Sequence, residues 1–185
     1  MIWREIQGVS VKRFFLSSIF FLPPCFMIWH LLSPWNAIAI GWIVEKILII
    51  WSPELFSSVE VKKTIIFVIM TTSESKLTFS VEPRLITYSL PFFTALHFAL
   101  PFGSFNHRFI FGLLFLWVLS IFGTLAICLK ESLLLLGPGF FEEMLALSSD
   151  FIPITYQFSV LLMPTLAPVT MAGVILTISR ENAVV

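Results

Sequence analysis

The sequence predicts a membrane protein, mainly α, with four transmembrane helices, a small extracytoplasmic β-hairpin and an interfacial helix. Hydrophobic residues fill 58% of its 185 positions and charged residues only 12%, more apolar surface than a soluble core of this size can bury. The apolar residues gather into runs of roughly the 20 residues needed to cross about 30 Å of hydrocarbon. Between the first runs the pattern switches to β-branched and aromatic residues and then to strict alternation, the signature of strands. The length suits a single membrane domain, 1–185.

The first span is expected at 14–32, after a basic lead of Arg4, Lys12 and Arg13. A secretory signal peptide shares these features, with Ala37-Ile38-Ala39 as its cleavage site; retention as a span is the expectation. Pro23 and Pro24 interrupt this helix, which membrane helices tolerate when neighbouring groups satisfy the freed carbonyls. Next, Trp35, Trp42 and Trp51 bracket an apolar stretch with Glu45 and Lys46 in its middle. Two adjacent charges make a crossing costly, whereas tryptophans favour the headgroup level, so 36–51 is expected to be an interfacial helix.

The hairpin is expected over 59–82. Its first strand is the β-branched run ending at Met70, and its second places Leu77, Phe79 and Val81 on one face. A lone hairpin is marginal in water, which calls for the Trp-rich segment, the bilayer surface or a partner as its support. The remaining spans are expected at 85–102, 109–129 and 151–178, with Gly137-Pro138-Gly139 breaking the chain between the last two. The final stretch is long enough to tilt, and Pro153, Pro164 and Pro168 bend it.

Charge sets the orientation. The N-terminal tail, the 103–108 link and the C-terminal tail hold Arg4, Lys12, Arg13, Arg108 and Arg180 against Glu5 and Glu181, while the opposite side holds six cations against nine acids. The excess of Lys and Arg in short loops places both termini in the cytoplasm and the hairpin outside, in a multi-pass protein of a bacterial inner membrane. The zero net charge offers no field for DNA or RNA; membrane lipid is the first partner.

The spans are nearly free of ionisable groups, the usual markers of a translocation path. His97 and Cys128 are the polar intramembrane candidates, and a histidine there binds metal, relays protons or bonds a neighbouring helix. No second ligand stands beside His97 by sequence, which favours a structural role. Cys25 and His30 raise the possibility of a thiol nucleophile, but Cys25 follows two prolines in apolar surroundings that disfavour a thiolate. A Cys25–Cys128 disulfide stays open. Lys130 near Cys128 fits snorkelling at a span end. Glu82, Arg84, Tyr156 and Gln157 mark the outer boundary and are the partner-docking candidates. No metal-ligand spacing, phosphate-binding loop, zinc-protease or nucleophile-elbow motif is present, so no catalytic residue, metal or cofactor is expected.

The ordered landmarks are Leu22-Pro23-Pro24-Cys25-Phe26 with Trp29, the hairpin, Val81-Glu82-Pro83-Arg84-Leu85-Ile86-Thr87-Tyr88-Ser89-Leu90-Pro91, and the run from Tyr156-Gln157-Phe158 to Pro164-Thr165-Leu166-Ala167-Pro168. In these the chain resembles the exosortase H-associated membrane proteins, small bacterial proteins encoded beside an exosortase. The resemblance implies a membrane partner, an exosortase-like sorting enzyme. It implies no active site, and Cys25 and Cys128 lack the polar Cys-Ser-Gly setting of the peptidase itself.

The expected function is therefore a non-catalytic accessory protein of an exosortase-type sorting system, docking through its extracytoplasmic hairpin and loops. The alternatives are a membrane enzyme or transporter with a polar site near His97, Cys128 and Gln157, or a structural subunit of a pilus or respiratory assembly.

Overall fold

The computed structural model describes residues 11–72, 75–100, 107–145 and 147–181. Their order is α1 (Val11–Trp51), β1 (Phe56–Lys62), β2 (Ile65–Thr71), β3 (Lys76–Val81), α2 (Arg84–Thr87), α3 (Ser89–Ala99), α4 (His107–Leu136), α5 (Pro138–Leu145), α6 (Phe151–Gln157), a π-helical turn (Phe158–Leu162) and α7 (Met163–Glu181). The N-terminal tail with Arg4 and Glu5, and positions 103–106 of the expected link, lie outside the described residues.

Among the described residues three helices are long and apolar enough to cross a membrane, Lys12–Trp51, His107–Leu136 and Phe151–Ile175. The second of the four expected spans is not among them. The predicted second span, 85–102, is divided into the four-residue α2 and the eleven-residue α3, and α3 alone rises only about 16 Å. Prolines cause both limits. Pro91 has no N–H to offer the Thr87 carbonyl, so helical bonding lapses at Tyr88. Leu100 is driven to extended backbone (φ −74°, ψ 147°) by the Pro101 that follows it.

A second correction concerns 36–51, which is not a separate interfacial helix. α1 runs unbroken for 41 residues through Pro23, Pro24 and Pro34. Packing overrides the local breakers: Ser33, Ala37, Ile40, Val44 and Leu48 form a buried stripe at helical spacing. Against that stripe lies the sheet. An added Cβ at Gly41 would stand 2.5 Å from Val61 Cγ2 and 3.6 Å from Ile66 Cδ1, so helix and strands meet where the helix has no side chain. Glu45, whose charge argued for the surface, accepts a hydrogen bond from the Val59 amide at 3.4 Å.

The third correction is to the hairpin at 59–82. The run read as one strand is two, and the sheet is a three-stranded antiparallel meander in the order β1-β2-β3. Lys62 pairs with Ile65 across a two-residue turn in which Lys63 takes a positive φ of 59°. Such turns are normally announced by Asn or Gly, and neither is present. The register puts Val59, Val61, Ile66, Val68, Phe79 and Val81 on one face, the face on which Ile66, Val68 and Met70 are fully buried. The other face carries Glu60, Lys62, Phe67, Ile69, Thr78 and Ser80. Leu77, Phe79 and Val81 do share a face, as their alternation predicted.

The π turn has a similar local cause. Pro164 cannot donate to Val160, and its ring crowds that carbonyl; a widened turn just before it absorbs the misfit.

By contacts the chain forms two compact units. The first contains the described residues of 1–31, 88–117 and 165–185. Its centre is aromatic: Phe93 stacks on Phe109 with ring centroids 5.9 Å apart, and Phe21 approaches Phe98 at 6.2 Å. The tip of Phe93 sits over Gly112, where a Cβ would meet it at 2.5 Å. The second unit contains 32–87 and 118–164, with the sheet, the stripe of α1 and the seat of Ile86 on Gly123 of α4.

The Gly41 contact predicts a compensating pair. Gly41→Leu overpacks the helix–sheet contact and lowers stability by about 1–3 kcal/mol, and adding Val61→Ala restores much of the loss. Unfolding of the single and double variants in detergent measures the coupling.

Candidate docking surface

The four docking candidates belong to the second unit, and the backbone brings their segments together. Glu82-Pro83-Arg84 leaves β3 and turns at once into α2, with the Pro83 carbonyl accepting the amides of Ile86 and Thr87, each at 3.0 Å. Pro83 is buried and fixes the bend, which holds Glu82 and Arg84 at the half-exposed rim. There the Arg84 guanidinium donates through Nε and Nη2 to one carboxylate oxygen of Glu82. α2 then packs against the π turn that follows Tyr156 and Gln157. Segments more than 70 residues apart in sequence thus approach each other through α2 and the π turn.

Tyr156 is not an isolated anchor. Lys130 of α4 stands over its ring, 5.1 Å from the centroid, and donates to Glu131 at 2.8 Å. Cation, carboxylate and ring form one polar patch in which the ring face accepts charge that would otherwise seek water. Gln157 is exposed beside it. Sequence reading gave Lys130 only a snorkelling role, because nothing local links it to a tyrosine 26 positions later. It also missed Ser159, whose fully buried hydroxyl in the π turn has no hydrogen-bond partner among the described residues. Pro164 was the available signal for the π turn.

His97 and Cys128 are not part of this surface. His97 belongs to the first unit and is enclosed by rings, 4.8 Å from Phe109, 5.7 Å from Phe98 and 5.9 Å from Phe93 between centroids. Cys128 belongs to the second and is fully buried, its carbonyl accepting the Ser132 hydroxyl at 2.8 Å. Both Cys25 and Cys128 are free thiols. Among the described residues no three His, Cys, Asp or Glu side chains gather as a metal site would require.

A separate feature of the first unit draws on three of the four landmark segments. Leu22, Pro23 and Phe26 of α1, Tyr88 and Phe92, and Thr165 line one groove of about 530 Å³ whose walls are almost wholly apolar.

Elsewhere in the second unit, the link between α5 and α6 is tied by one carboxylate. Glu142 accepts both the amide (2.8 Å) and the hydroxyl (2.6 Å) of Ser149. These bonds hold its carboxyl below the usual glutamate range.

The sequence model of a family described as exosortase H-associated membrane protein matches residues 9–176. No curated protein and no solved structure matches the chain.

The Glu142 tie predicts a pH response. A carboxyl whose folded pKa is depressed contributes its tie in full above the ordinary glutamate value, and loses it as pH falls through the lower folded value. The protection factor of the Ser149 amide, its exchange rate corrected for the intrinsic pH dependence of amide exchange, is therefore full at neutral pH and falls as pH drops below about 4.5, the ordinary value. Glu142→Gln abolishes the pH dependence of this local effect.

Proposed function

Because the chain belongs to the exosortase H-associated membrane protein family, we propose that it is a non-catalytic accessory protein that docks on an exosortase-type sorting enzyme through its sheet and the adjoining polar patch. In this reading it lies in a bacterial inner membrane, with both termini cytoplasmic and the sheet outside. One observation carries the proposal. The strand order β1-β2-β3 leaves β1 and β3 each paired on a single side, and an unpaired edge accepts a strand from another chain.

Of the two edges, β3 suits the role better. β1 is irregular between Phe56 and Ser58 and carries Glu60 and Lys62, bonded to each other at 3.1 Å, features that blunt an edge. β3 pairs with β2 without interruption and presents Lys76, Thr78 and Ser80 exposed. Half-exposed Ile65, Phe67 and Ile69 of β2 lie on the same outer face, where they would be covered by an incoming element. Glu82, Arg84, Tyr156 and Gln157 would supply the polar rim that fixes its register.

The orientation draws support from the division of the chain. The first and last described helical segments, Val11–Leu31 and Thr165–Glu181, fall in one unit, and the sheet falls in the other.

The test is co-purification from the native host in mild detergent. The wild-type chain retains its exosortase; Thr78→Lys with Ser80→Lys, at equal abundance in the membrane, loses it by tenfold or more. Capture of no exosortase by the wild type overturns the accessory reading. Undiminished capture by the double variant overturns the docking edge alone.

A further inference from the structure

α1 opens with two neighbouring cations whose surroundings continue down the helix in an ordered way. Lys12, Leu16 and Phe20 form one row at four-residue spacing, and Arg13, Ser17 and Phe21 form the row beside it. Together these six residues line a groove of about 580 Å³ in the first unit. From its head the groove passes from charge to a hydroxyl beside an apolar side chain, and then to two aromatic rings, over an axial rise of about 12 Å.

The groove is built and open. Phe21 is held from behind by Phe98 of α3, with centroids 6.2 Å apart, and meets Phe20 edge-on at 5.8 Å. Leu16 and Phe20 are exposed. Ser18 turns its hydroxyl onto the Phe14 carbonyl at 2.9 Å, whereas Ser17 lines the groove. Among the described residues neither Lys12 nor Arg13 has an ion pair, whereas Lys62, Arg84 and Lys130 each meet a carboxylate. No acidic residue is among those that line the groove. Among the described residues, two cations without a carboxylate partner therefore stand at the head of a shallow, open groove between apolar rows on the surface of α1.

We propose that this groove binds one anionic phospholipid. The phosphodiester lies against Lys12 and Arg13, the ester region reaches the Ser17 hydroxyl, and an acyl chain runs along Leu16, Phe20 and Phe21. Charge complementarity selects an anionic headgroup over a zwitterionic one. The apolar rows select a lipid over a free phosphate, because only a lipid covers the exposed Leu16 and Phe20 while it neutralises the cations. A guanidinium beside an ammonium suits a phosphodiester, since arginine supplies a planar fork and lysine a mobile point charge.

The experiment uses the full chain in nanodiscs of mixed phosphatidylglycerol and phosphatidylcholine, with the lipids retained after gentle extraction counted by native mass spectrometry. The wild type retains one phosphatidylglycerol selectively, and added inorganic phosphate does not displace it. Lys12→Gln with Arg13→Gln weakens retention about 30-fold, from about fivefold for each cation near an anionic surface. Ser17→Trp leaves the charge unchanged but fills the groove, and loses the bound lipid as well. Equal retention of the two lipids, displacement by free phosphate, or full retention by either variant overturns the site. Melting and membrane yield of each variant confirm that the compared chains are folded. This outcome is independent of exosortase capture, so either proposal fails without the other.

Discussion

The second unit depends on a helix and a sheet meeting where the helix has no side chain. At Gly41 the backbone of α1 admits Val61 and Ile66, and around this point Ala37, Ile40, Val44 and Leu48 are buried while Ile66, Val68 and Met70 are fully covered. The contact explains why α1 continues past Pro34, why a short sheet persists that would be marginal alone, and why one sheet face is apolar. It also decides what is left outside. With the inner face occupied, the strands offer other molecules only their edges and the face bearing Glu60, Phe67, Thr78 and Ser80.

The legible part of the fold was its chemistry class. Apolar runs at 14–32 and 109–129 fall within helices able to cross a membrane and the run at 151–178 overlaps a third, and the alternation of Leu77, Phe79 and Val81 named a real sheet face. Residues whose behaviour is settled by distant contacts were not legible. Glu45 and Lys46 argued against a membrane crossing and for an interfacial helix, because sequence cannot show that the Val59 amide meets the Glu45 carboxylate. Lys63 and Thr64 carry no turn signal, yet the chain reverses there because β2 needs a partner on each side. Proline gave partial guidance: Pro101 ended α3 as its chemistry requires, while Pro23, Pro24 and Pro34 ended nothing.

The polar residues named as docking candidates were visible in the sequence, but the approach of their segments was not. Glu82, Arg84, Tyr156 and Gln157 were singled out as polar groups beside apolar runs, and their segments meet through α2 and the π turn. Lys130 completes the patch through a ring contact invisible to local pattern. His97 shows the opposite case, since the most conspicuous polar residue of the apolar segments is packed among Phe93, Phe98 and Phe109. The match to the exosortase H-associated membrane protein family covers residues 9–176, nearly the whole chain.

The unbroken run of α1 carries a consequence for where this protein can reside. Forty-one helical residues have a contour of about 60 Å, roughly twice the hydrocarbon of a bilayer. Lipid can clothe only part of that helix, and the thickness of the host membrane acts as a ruler that decides which part. A few ångströms of thinning or thickening move the water boundary along the helix by one or two residues. The three tryptophans at 35, 42 and 51 then serve as graduations on the ruler, and lipid composition becomes a variable that sets how much of α1 lies within hydrocarbon.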